Sequence, residues 1–134
     1  MRQPAAYFGL ENASSSPCKL QGYPGVTFFD AAGHPIHLTR ELQGGPYQIP
    51  DPGPAEVSLA PGATGWFGVG WIVENRDGGH VGCIAPGAIS VVPPGGSTRM
   101  RIPVRLRAWV CPDGGAIVTA IGHRTSFRLS DPAA

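Results

Sequence analysis

The stretch Arg99–Cys111, RMRIPVRLRAWVC, decides how the chain is read. Taken with a period of two, Met100, Ile102, Val104, Leu106 and Val110 fall on one side. Arg99, Arg101, Arg105 and Arg107 fall on the other, with Pro103 between them and Trp109 on the same parity. Successive side chains of a strand point to opposite faces, so the stretch predicts a strand with one apolar face and one row of guanidiniums. An apolar sheet face needs a second layer to cover it. The segment therefore predicts a two-layer β protein whose core is partly made by its apolar side.

Working outward, other segments carry the same kind of signal. Ala5–Asn12, Val26–Phe29, Ile36–Leu38, Glu56–Leu59, Trp66–Val73, Ile89–Val92 and Ala116–Ile121 read as short strands, and Phe127 and Leu129 extend the last one. Turns at Ser14–Pro17, Ala31–Pro35, Ala60–Gly62, Pro93–Gly96 and Pro112–Gly115 separate them. Tyr23-Pro24-Gly25 predicts a kink within Cys18–Asp30. In Trp66–Val73, Phe67, Val69, Trp71 and Val73 form an apolar face, while Gly68 and Gly70 leave the other face bare for a neighbouring side chain to cover. Arg40–Gln43 reads as a brief turn of helix, and no longer helical period is present. The expectation is a single all-β domain over 1–134, an immunoglobulin-like antiparallel β-sandwich of about seven to eight strands. A closed barrel is the alternative.

Composition supports this reading. Gly (20) and Pro (15) make up about a quarter of the chain and cluster between the apolar runs, as in turn-rich β proteins. The longest irregular stretch, Gly44–Pro54 (GGPYQIPDPGP), has four prolines and three glycines. Loops of that length either carry function or are tolerated insertions. A net charge of +1 gives non-specific nucleic-acid binding no support. The N-terminus lacks the apolar core of a signal peptide, and no apolar run reaches the length of a membrane span. The chain is then either cytosolic or a form from which an export signal and anchor have been removed. Three cysteines, Cys18, Cys83 and Cys111, fit one bridge and one leftover thiol in an oxidising compartment.

Three ordered segments carry a family resemblance: NASSSPCKLQGYPGV at Asn12–Val26, VSLAPG at Val57–Gly62 and ISVVPPG at Ile89–Gly95. They resemble an actinobacterial family of exported domains of unknown function, with a Cys-x-Leu-x-Gly-Tyr-Pro-Gly segment, a Leu-x-Pro-Gly turn and a late Pro-Pro-Gly turn. The resemblance spans nearly the whole chain. It implies a β-sandwich outside the cytoplasm, secreted or lipoprotein-anchored, and it implies no catalytic residues. Family members carry a further cysteine upstream, so Cys18 is read as a thiol without its partner, which leaves Cys83 to pair with Cys111. Such a bridge is worth about 3.5 kcal/mol in the chain-entropy account. Pairing of Cys18 with one of the other two is the rival.

Catalytic and metal signatures are missing from the sequence. There is no CxxC pair, no serine in a glycine-flanked elbow and no phosphate-binding loop leading into a helix. His34 and His37 are three apart beside a turn and would face opposite sides of a strand; His80 and His123 read as loop residues. The expectation is a non-catalytic module without cofactor or metal that binds a protein or cell-envelope component and meets a membrane only through a missing anchor. A carbohydrate- or polyanion-binding module, using Trp66, Trp109 or the Gly44–Pro54 loop, is the alternative. The candidate binding face is Arg99, Arg101, Arg105, Arg107 and Trp109. Its competitor is a solvated or edge-protecting face whose charges pair with neighbouring acids. Asn12-Ala13-Ser14 also matches a glycosylation sequon.

Overall fold

The computed structural model describes residues 5–45, 49–71, 83–96, 98–104, 110–112 and 114–123. Alternating apolar residues in short runs, broken by Gly and Pro, make ten strands among these residues and no helix. They are β1 (Ala5–Glu11), β2 (Cys18–Gln21), β3 (Gly25–Phe29), β4 (Pro35–Ile36) and β5 (Arg40–Gln43), then β6 (Glu56–Leu59), β7 (Thr64–Trp71), β8 (Ala88–Val92), β9 (Met100–Pro103) and β10 (Gly115–Val118). One sheet has the order β1-β7-β10-β5, a second β4-β3-β8-β9, and β2 and β6 form a separate two-stranded ladder.

The inward faces of the two larger sheets share one core. Phe67, Val69 and Trp71 of β7 are buried with Phe28 of β3 and Ile89 and Val91 of β8. Phe28 meets Trp71 edge-on, with ring centroids 5.9 Å apart, a favoured aromatic geometry. Val57 and Leu59 of the β6 ladder close the same cluster. This is the expected all-β sandwich.

Three expectations are corrected. Arg40–Gln43 is not a helical turn but strand β5, held parallel to β10 from Arg40↔Gly115 to Gln43↔Val118. Its sheet is thus mixed rather than purely antiparallel, and the sandwich has ten strands among the described residues where about seven to eight were expected. The first apolar residues of the arginine stretch, Met100 and Ile102, do not fix the core. Among the described residues of Arg99–Cys111, β9 spans Met100–Pro103, and its Met100 and Ile102 remain 39% and 40% exposed. The reason is position: β9 is the outermost of the described strands of its sheet, so its inward side chains overhang the core that Ile89 and Val91 of β8 fill. Val104 is half-buried against that core, and Val110 and Cys111 are buried.

Ile84 and Val110 exchange backbone hydrogen bonds of 2.8 Å, which puts Cys83 opposite Cys111. These two form the disulfide, while Cys18, on β2 opposite Leu59, is a half-buried free thiol.

Candidate functional site

The arginine-bearing edge is built on an antiparallel ladder. β9 pairs with β8 through Ala88↔Pro103, Ile89↔Ile102, Ser90↔Arg101 and Val91↔Met100. The Val104 N–H donates to the Gly87 carbonyl at 3.1 Å. In such a ladder the hydrogen-bonded pairs recur at every second residue. Met100 and Ile102 therefore turn their N–H and C=O groups toward β8, and those of Arg101 face outward. Pro103 has the same outward parity and offers only its carbonyl.

Arg101 is held in place by what lies beneath it. Its guanidinium sits 4.2 Å above the centroid of the Phe29 ring, an arrangement in which the cation gains from the ring face while its N–H edge stays in water. The adjoining turn, Ala31–Pro35, leaves room for it. Gly33 has a φ of +89°, and a Cβ there would stand 3.2 Å from an Arg101 terminal nitrogen. The turn is capped by Asp30, whose Oδ1 accepts the Ala32 and His34 N–H groups at 2.9 Å each. These backbone bonds, His34's first, hold the Asp30 carboxyl below its ordinary value against some desolvation. Its Oδ2 lies 3.6 Å from His34 Nδ1. Among the described residues the ion pairs are Asp30–His34 and Lys19–Glu56, and neither Arg99 nor Arg101 takes part in one. Both arginines are exposed. Arg105, Arg107 and Trp109, the rest of the predicted face, lie outside the described residues, as does His80.

The Gly44–Pro54 loop has a different character. Ile49, its one aliphatic side chain apart from proline, is buried. It packs on Gly68 of β7, where a Cβ would come within 2.7 Å of Ile49 Cγ2. The bare glycine face predicted for β7 is thus covered at Gly68 by a side chain of the chain itself. Two residues on, Asp51 accepts the Tyr23 hydroxyl at 2.7 Å on Oδ2, and the Ala120 and Gly53 N–H groups at 3.0 and 3.1 Å on Oδ1. Burial pushes the Asp51 carboxyl up, but these three bonds outweigh it and hold it below its ordinary value. The same bond to Asp51 pushes the Tyr23 phenol up. Among the described residues of the loop, Ile49 and Asp51 are structural anchors. Sequence reasoning missed this latch: nothing local links Tyr23, Asp51 and Ala120. It missed Phe29 as the platform for Arg101 for the same reason.

Two further sequence signals resolve. Asn12 of the sequon is buried, its Nδ2 donating to the Ser16 and Leu59 carbonyls at 2.9 and 3.0 Å, so in the folded domain it is a structural amide with no N–H left for a glycan. Trp66 is half-buried on the outer face of β7, its ring lying against Gly9 of β1.

Comparison with curated proteins yields no significant match, and comparison with solved structures yields none either. A family model described as "Domain of unknown function (DUF4232)" matches residues 1–122. That span takes in the sandwich, both disulfide cysteines and the arginine edge, and the chain belongs to the DUF4232 family.

Proposed function

We propose that this domain is a non-catalytic binding module that works outside the cytoplasm, docking a protein or another component of the cell envelope on the β9 edge. The observation that carries the reading is Arg101. An exposed guanidinium that pairs with no carboxylate among the described residues, parked on an aromatic ring on the last described strand of its sheet, is ready for an anionic group and loses little side-chain freedom on binding. A solvated structural arginine would be expected beside an acid on a neighbouring strand. The extracytoplasmic placement rests on the resemblance to exported, lipoprotein-type actinobacterial domains and is compatible with the Cys83–Cys111 disulfide.

Capture from envelope fractions by the wild-type domain, compared with an Arg99→Ala/Arg101→Ala variant, tests the docking surface. Loss of a specific partner from the variant is expected, and equal capture would overturn the arginine edge. Fractionation of cells expressing the full-length gene product tests the compartment, and a cytoplasmic product would overturn the envelope role. Carbohydrate binding is the second reading, favoured by the half-buried Trp66 indole that lies against Gly9 on the outer side of its sheet. A glycan array without hits would remove it.

A further inference from the structure

Resting on the reading of β9 as the docking edge, we propose its mode of docking: an extended acidic segment of a partner protein adds to β9 as a further strand of the second sheet. Its side chains would alternate between acidic and apolar. Three observations carry this.

The first is the backbone. Among the described strands β9 is the last of its sheet, and the N–H and C=O of Arg101 face outward. Open edges of this kind are templates for strand addition. The second is that the two faces of the edge differ in chemistry. Arg101 stands on one face, above Phe29. Met100 and Ile102 stand on the other, left 39% and 40% exposed next to the fully buried Val91 and Ile89. An added strand also alternates its side chains, so acidic residues would fall beside Arg101 and apolar ones would cover Met100 and Ile102. The third is charge. A second copy of this chain pairing through β9 would bring the two Arg101 guanidiniums together, and like charges facing across strands are unfavourable. An acidic segment removes that cost and brings a carboxylate to Arg101.

Edge protection is the competing account. It explains Arg101 and Pro103, since charges and prolines discourage pairing. It does not explain an exposed methionine and isoleucine at the same edge. Pro103 instead limits the paired length, because the outward row offers no N–H there.

The probe is a synthetic hexapeptide of alternating Glu and Val, with the alternating Lys and Val peptide as control, titrated into the whole domain by fluorescence anisotropy and NMR. Binding of the Glu peptide but not the Lys peptide is expected, with Arg101→Glu weakening it by at least about tenfold. On binding, the Arg101 amide should become protected from hydrogen exchange while the Ile102 amide, already bonded to β8, changes little. Methylating alternate peptide nitrogens should abolish binding in one of the two phases and leave it intact in the other. If the Glu peptide binds but Arg101 stays unprotected and both methylated forms bind equally, strand addition is overturned and the docking edge stands. If the Glu peptide binds no better than the Lys peptide, the inference fails outright, and envelope capture by the Arg99→Ala/Arg101→Ala variant still decides the docking edge separately. A dimer that is lost on Arg101→Glu would overturn the acidic partner in favour of a second copy.

Discussion

The Gly44–Pro54 loop and the β9 edge have exchanged the roles their sequences suggest. The loop, rich in proline and glycine, is locked to the sandwich by Ile49 under the strands' glycine face and by Asp51 bridging Tyr23 and Ala120. Strand β9, from the run with the cleanest alternation in the chain, lies at the rim of the described sheet with all four of its residues exposed. Regularity of pattern reports the local conformation of a segment. Burial is decided by how many neighbours the segment has in space, and an irregular loop laid over a sheet has more than a strand at the margin.

Four measurements break or sharpen this contrast. The largest effect is expected where the exposed segment gives way to the packed one. Replacing Cys83 and Cys111 together by Ser should cost up to about 3.5 kcal/mol in denaturant unfolding, with the same loss on reduction of the wild type. An unchanged midpoint would mean that the bridge is not holding the end of the arginine segment to Cys83.

Ile49→Ala should cost about 3 kcal/mol, as for a buried aliphatic truncated in a packed site. A value near zero would show that the loop is not part of the core, and the contrast with β9 would collapse.

Asp51→Asn keeps the shape but weakens three bonds to a carboxylate, and should cost about 2 kcal/mol at neutral pH. Because the folded-state pKa of Asp51 lies below its ordinary value, its contribution is fully present above the unfolded carboxylate pKa. It is lost as pH falls through the folded-state value. Acid should therefore destabilise the wild type more steeply than Asp51→Asn over that window. Parallel pH profiles would remove Asp51 as the cause.

The smallest effect is expected at the rim. Ile102→Thr should change stability by less than about 1 kcal/mol, since much of the side chain is already in water. A loss as large as that of Ile49→Ala would mean that the edge is covered in solution.

Most of the fold was legible in the sequence. The strands around Tyr7–Leu10, Val26–Phe29, Glu56–Leu59, Trp66–Trp71 and Ile89–Val92 stand where apolar alternation and turn residues place them. β5 was not legible. Arg40-Glu41-Leu42-Gln43 has no alternation to read, and its extended form is imposed by pairing with β10, more than seventy residues later in the chain. Of the candidate site, the arginines could be named, but not what they face. Nothing near Arg101 in the chain announces Phe29 or the Gly33 turn, and the pairing of Cys83 with Cys111 came from family resemblance rather than from spacing.

By itself the sequence determined the class of the fold, because the period of side-chain alternation and the positions of Gly and Pro act within a few residues. It also determined that four arginines alternate with apolar residues in one short run, Arg99–Arg107. The tertiary structure alone decided which described strand lies at an edge, which loop residue became core and which ring the Arg101 guanidinium rests on. Those outcomes depend on contacts between residues far apart in the chain, and no local pattern specifies which of two similar strands will have a neighbour on both sides.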